Sequence, residues 1–295
     1  MGIMDIKEFT DKHYNNQAKF EANHKLPMIF WNPNGVDAWL HNRKYHHLLP
    51  LIKQFPDATW LTVGDGRFGS DAFFLRTQGV NAISSSISDS TLKIALERGY
   101  IPAYRIENAE QMNSIENEFD FVLCKESYHH FPRPALAFYE MLRVASKALI
   151  LIEPIEGGMR PLDWLRNTAV KTLLRGDRSA LFEPSGNFIY RVTIREVEKM
   201  MIAIDGSFIA VKKFNTFYHP KLASQQNGFT VGALLTKFAI AIQNVFSTIG
   251  LINFGLATII IFKGPVRSDL RKALGHQGFE LIDLPQNPFI GEHHY

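Results

Sequence analysis

The stretch Trp60-Leu-Thr-Val-Gly-Asp-Gly-Arg-Phe-Gly-Ser-Asp-Ala72 constrains the fold more than any other part of the chain. A short apolar run empties into a glycine-rich turn, and a helix starts directly after it. Gly64, Gly66 and Gly69 form a G-x-G-x-x-G, the spacing with which a strand-to-helix turn brings backbone amides against a ligand at a strand's carboxyl end. The pattern alone serves several nucleotide-like ligands, and it also occurs as a plain tight turn. Its surroundings have to decide.

Those surroundings alternate between strands and helices. A helix over residues 36–54 leads into a strand at 58–63. Further strands are expected at 80–86, 101–106, 119–125 and 147–153, with helices at 70–78, 89–98 and 134–145 between them. Strands alternating with helices of this length predict a parallel sheet covered on both faces. After Glu153 the rhythm breaks, and residues 154–192 read as a long irregular insertion. Thr193 with Glu196 three residues on is a capping box opening a helix at 193–204. A strand at 208–217, a second insertion at 218–254 and a strand at 256–262 follow. The expected architecture is an α/β, Rossmann-like sheet of seven mostly parallel strands. Residues 1–55 would form an N-terminal helical lid and 56–265 the core, with cap insertions at 154–192 and 218–254. Residues 266–295 would be a tail.

Charge and cysteine content narrow the setting. The chain's 32 basic and 29 acidic residues are interspersed, which leaves no nucleic-acid footprint. A single cysteine, Cys124, excludes an intramolecular disulfide and suits a reducing, cytoplasmic compartment. The first residues lack a basic stretch followed by an apolar one, so no secretory signal is expected. Between Phe229 and Phe262 the only charged residue is Lys237. As a helix over 232–249, this segment sets Leu234, Phe238, Ala241, Ile242, Val245 and Ile249 on one side. Thr236, Lys237, Gln243, Asn244 and Ser247 fall on the other. A spanning helix is apolar all round, whereas this one is two-faced. It could roof an apolar pocket, pack on the sheet or form the seam of a homodimer. A membrane surface is the less favoured partner, because only Lys237 would meet anionic lipid.

Over residues 58–155 the chain resembles the class I S-adenosylmethionine-dependent methyltransferases that act on small molecules. The resemblance rests on Val63-Gly-Asp-Gly-Arg-Phe-Gly69, on Glu107-Asn-Ala-Glu-Gln-Met112, on the histidine-bearing run Cys124-Lys-Glu-Ser-Tyr-His-His-Phe131, on Glu140-Met-Leu-Arg-Val144 and on Leu149-Ile-Leu-Ile-Glu-Pro154. It implies S-adenosylmethionine as cofactor. The methionine part would be held by Gly64, Asp65, Gly66 and Gly69, with first-turn helix amides favouring its carboxylate. Ser86 and Ile87 align with the family's acid-Ile-Ser segment at the ribose, so a neutral hydroxyl stands where a carboxylate is usual. Asn108 and Ala109 would meet the adenine, and Lys125 completes the cofactor set.

Methyl transfer to a hydroxyl also needs a proton acceptor, and histidine suits that role at neutral pH. His129 or His130 is the expected base, with Glu126 as orienter or alternative base. Tyr128, Trp39, Arg43, Arg160 and Tyr190 are expected at the acceptor, with Trp31, His41 and Trp164 as further liners; aromatic and Arg side chains suit a ring or an anionic group. Glu140 and Arg143 read as a structural ion pair. Glu126, His129, His130 and Glu153 lack a metal-binding spacing, and adjacent histidines are expected to point apart, so no metal is called for. The chain thus reads as a methyltransferase for a small acceptor, most simply a hydroxyl of a saccharide or secondary-metabolite intermediate. The rivals are a non-catalytic cofactor-binding protein, prompted by Ser86, a nicotinamide-dependent oxidoreductase whose seventh strand would not be antiparallel, and a peripheral-membrane enzyme with a lipid or quinone acceptor.

Overall fold

The computed structural model describes residues 5–23, 32–163, 181–183 and 185–289. The expectations for Trp31 and Trp164 lie outside the described residues. Among the described residues eight strands form one sheet: β1 Thr59–Val63, β2 Asn81–Ser86, β3 Tyr104–Ile106, β4 Phe119–Lys125, β5 Ala145–Pro154, β6 Phe208–Phe214, β7 Leu256–Phe262 and β8 Glu280–Asp283. Their order is β3-β2-β1-β4-β5-β7-β6-β8. The first five strands pair in parallel. β7 runs antiparallel to both β5 and β6, and β8 is antiparallel to β6. An antiparallel seventh strand is the reverse of what the nicotinamide reading required.

The helices among the described residues are α1 Ile6–Asn23, α2 Val36–Tyr45, α3 Leu49–Gln54, α4 Ser70–Thr77, α5 Ser90–Glu97, α6 Pro134–Val144, α7 Ile194–Ile202, the single turn α8 Pro220–Ala223, α9 Val231–Thr248 and α10 Ser268–His276. Successive strand residues feed opposite faces, as the two-residue period demands. Trp60, Phe121 and Leu123 join Leu51 of α3, Leu75 of α4 and Leu274 of α10 in one core. Leu61, Val122 and Cys124 join Phe138 and Met141 of α6 and Val197 of α7 in the other. All seven residues of β7 are buried, so its β-branched run is the central strand of the antiparallel half.

Three expectations are refined. The helix over 36–54 is two helices joined by a 3-10 turn at His46–Leu48, because Pro50 opens a new first turn. The capping box is present, with Glu196 N donating to Thr193 Oγ1 at 3.0 Å and Thr193 N to Glu196 Oε2 at 2.8 Å. The sheet has eight strands rather than seven. Residues 266–295 are more than the expected tail: within them α10 packs on the core and β8 pairs with β6 from Phe208 to Val211. Without β8 that edge would present unpaired backbone groups.

Candidate active site

The carboxyl ends of β1, β2 and β3 open onto a narrow crevice. Val63 and Gly64, Ser86 and Ile87, and Glu107 and Ala109 come from the three strand ends. Ser127, His130 and Phe131 come from the loop after β4, and His13, Tyr14 and Gln17 of α1 close the top. Ligands of open α/β sheets bind at this edge, where the strand order reverses beside β1. The enclosed space is about 50 Å³, room for only part of a nucleoside. The lining suits one all the same. Ile87, Ala109, Phe131 and Tyr14 offer apolar and aromatic surface, and the Ser86 hydroxyl and Glu107 carboxylate offer polar contacts.

Gly64 is where glycine is indispensable. Its φ is +72°, and a Cβ there would stand 2.5 Å from Ser127 Cβ. Ser127 Oγ donates to the Gly64 carbonyl at 2.7 Å, latching the β4 loop to the turn. Gly64→Ala is therefore expected to destabilise the fold by roughly 1–3 kcal/mol, measurable as a lower midpoint in urea.

Two parts of the expected cofactor grip are corrected. Asp65 is buried, and its carboxylate accepts from Thr62 Oγ1 at 2.8 Å, Ser84 Oγ at 3.1 Å, Asp71 N at 3.1 Å and Ala72 N at 3.0 Å. It caps the first-turn amides of α4, the very groups expected to receive the cofactor's carboxylate. Burial, and then the charge of Asp71, push its carboxyl up to about 7. Asn108 likewise uses its side-chain oxygen locally, accepting from Glu110 N at 2.9 Å. Its neighbour Glu107 faces the crevice instead, braced by Asn113 N at 2.7 Å and Ser114 Oγ at 2.9 Å. The family pattern aligns Asn108 rather than Glu107 with the adenine contact, so the sequence carries no signal for Glu107.

Lys125 and Glu126 turn away from the crevice. Lys125 Nζ lies 3.0 Å from Asp71 Oδ1 and 3.3 Å from His41 Nδ1. Glu126 Oε2 accepts from Lys44 Nζ at 2.5 Å. Burial would raise the Glu126 carboxyl, but Lys44, Lys125 and His41 outweigh it and hold the group well below the usual carboxylate range. A carboxylate so stabilised is a poor base. Glu126 also has φ +52°, the left-handed conformation that swings its side chain toward α2 and ties that helix to the core.

The two histidines occupy a 3-10 turn, Tyr128–His130, and their rings lie side by side with centroids 4.0 Å apart, rather than pointing apart. His129 Nδ1 is 2.7 Å from Oε2 of Glu153, which is completely buried at the end of β5. The other Glu153 oxygen accepts from Ser127 N at 2.8 Å and Tyr128 N at 2.9 Å. Glu153, not Glu126, is thus the group that orients a histidine. Burial would depress His129, but Glu153 above all, with Glu183 and Glu126, raises its pKa above 6.5. His130 faces the crevice, and burial, His129 and His13 push it down to about 3. Glu183 lies 3.8 Å from His129 Nε2 and 3.4 Å from His130 Nδ1.

The acceptor candidates scatter. Tyr128 is buried beneath the loop against Phe131 and Tyr190, which corrects its assignment as a substrate contact. Tyr190 holds the loop from outside: its N donates to the His129 carbonyl at 3.0 Å and its hydroxyl bonds Glu196. Trp39 sits between the cations of Arg43 and Lys237, 5.1 and 5.3 Å from its ring centre. Arg160 borders a cavity of about 590 Å³ with Arg195 and Lys213. A larger one, about 780 Å³, opens at the ends of β5 and β6, with Pro154, Glu156, Arg191, Asn215 and Gln243 in its wall. In the strand order the histidine loop after β4 falls between β1, whose end borders the crevice, and β5, whose end borders the larger cavity.

Residues 61–152 match the family model described as a methyltransferase domain. Among solved structures, the chain resembles the 1,6-didemethyltoxoflavin-N1-methyltransferase of Burkholderia thailandensis at 12% identity, over 90% of this chain and 93% of that one, with a TM-score of 0.51. It also resembles the YcgJ protein of Bacillus subtilis at 19% identity over 75% and 100% of the two chains, TM-score 0.48. A magnesium protoporphyrin IX methyltransferase of Synechocystis gives 12% over 86% and 96%, TM-score 0.47. No curated protein sequence matches. Residues 61–152 thus carry a methyltransferase domain, the part of the chain in which the sequence resemblance lies. Methyl transfer from S-adenosylmethionine is the activity that this domain supports.

Proposed function

We propose that the protein methylates a hydroxyl of a small acceptor, a saccharide or secondary-metabolite intermediate, with His129 as the base. The observation that carries this reading is the 2.7 Å contact between His129 Nδ1 and the buried Glu153 carboxylate. A carboxylate accepts only, so the Nδ1 proton is held there and Nε2 keeps the lone pair with which a base works. When bound, S-adenosylmethionine supplies an electrophilic methyl on a sulfonium. Gly64, Ser86, Ile87, Glu107 and Ala109 would hold it, with Glu107 compensating for the neutral Ser86 at the ribose, and α1, part of the proposed lid over residues 1–55, would fold over it through His13 and Tyr14. The acceptor would enter by the cavity beside Pro154 and Arg191, bringing its hydroxyl to the His129 side of the loop. Arg191 suits an anionic substituent, and excluding water there keeps the proton transfer local.

The sign of the pH dependence follows from the raised pKa of His129. Only the neutral imidazole accepts a proton, so kcat/KM for a hydroxyl acceptor should climb with pH through a value above 6.5 and then level off. The stability contributed by the His129–Glu153 pair runs the other way. It is complete below the unfolded histidine's pKa and fades as pH rises through the folded one. The test is a panel of alcohol and amine acceptors with labelled donor, followed by a pH–rate profile on any acceptor found. A limb that vanishes in His129→Ala but persists in His130→Ala supports the assignment. A profile identical in both variants contradicts it.

A further inference from the structure

The face of α9 that its sequence marks as apolar points outward. Leu234, Phe238, Ala241, Ile242, Val245 and Ile249 are all exposed, Phe238 at 64%. The inward side is largely polar or small: Thr236 and Ser247 are buried, and Asn215 Nδ2 donates to Asn244 Oδ1 at 3.1 Å and Ser247 Oγ at 3.0 Å. Ala233 and Ile240 pack on Val36 and Leu40 of α2. The helix is long and apolar enough to span a bilayer by length and composition alone, but these inward bonds lay it flat on the domain. A soluble helix normally shows water the opposite face.

We infer that the outer face of α9 docks onto an anionic lipid bilayer surface, lying in the plane of the headgroups. Phe229, 98% exposed just before the helix, extends the apolar strip. Residues 215–265 contain no Asp or Glu, while Lys221 and Lys237 are present, and Arg160 Nη1 stands beside Gly250 at the helix's end. Asp163, the acid at that end, is turned inward to Asn253 N and Nδ2 at 2.8 Å, and an apolar strip flanked by cations suits an interfacial helix. A second copy fits less well. A two-fold seam would bury the same strip against itself and leave its flanking cations without a counter-charge, which an anionic surface supplies. The inference goes beyond the methyl-transfer reading and does not depend on His129.

The test uses the full chain, mixed with vesicles of phosphatidylcholine alone or with a third of phosphatidylglycerol, and sedimented at low and at physiological salt. The wild type should co-sediment with the anionic vesicles, less so at higher salt. The double variant Phe238→Ser, Ile242→Ser should bind them at least tenfold more weakly while still taking up S-adenosylhomocysteine, which shows that it is folded. Sedimentation velocity without lipid should find a monomer. Failure of the wild type to bind anionic vesicles, equal binding by the variant, or a wild-type dimer that the variant dissociates would overturn the inference; the last would assign the face to a second copy.

Discussion

His129→Ala is expected to lower kcat/KM toward a hydroxyl acceptor by about 10²–10⁴-fold, the range over which a positioned base contributes. The expectation comes from geometry as well as residue type. Glu153 fixes the imidazole tautomer, and the strand order sets the loop between the cofactor crevice and the larger cavity. His130→Ala should lose at least ~1.4 kcal/mol less transition-state stabilisation, about tenfold in rate. His130 is pushed down to about 3 and is too weak a base to take a hydroxyl proton near neutrality. Steady-state rates of both variants, with S-adenosylhomocysteine affinity as a control for folding, check the pair. Two equal and small losses would mean that transfer here relies on proximity alone.

Glu153→Ala should be the most destabilising single change near the site, by roughly 3–5 kcal/mol, the loss typical of breaking a buried charged pair. It strands the Ser127 and Tyr128 amides and the His129 ring together, all within a buried loop. Urea denaturation measures it directly. Glu153→Gln separates stability from catalysis. An amide oxygen still serves the two backbone donors, but an amide nitrogen facing His129 Nδ1 forces the proton to Nε2. Stability should then fall far less than in Glu153→Ala, while activity falls as it does in His129→Ala. A Glu153→Gln enzyme of normal activity would show that the tautomer is irrelevant.

The core of the fold was legible because it rests on local periodicity. The glycine turn, the alternation from β1 to β5 and the Thr193–Glu196 box each depend on residues within a few positions of one another. β8 was missed because a four-residue edge strand declares itself only through its partner β6, some seventy positions earlier. The crevice at the strand ends was legible in the sequence, the partners of its side chains less so. Asp65 and Asn108 looked like ligand contacts, yet their short polar side chains bond nearby backbone first, as such residues do in turns. Glu126 and Glu153 could not be ranked as orienters of His129, since that depends on which strand pairs with β4. The outward apolar face of α9 illustrates the same limit: the sequence resolved two faces but not which of them meets α2.

The central claim is that the crevice at the ends of β1, β2 and β3, under α1, holds the methyl donor. Hydrogen exchange with and without saturating S-adenosylhomocysteine tests it most directly. The account predicts added protection confined to the turn after β1, to the ends of β2 and β3 around Ser86–Ile87 and Glu107–Ala109, and to α1 around His13–Gln17. Binding that protects other segments, or no binding at millimolar ligand, would contradict it.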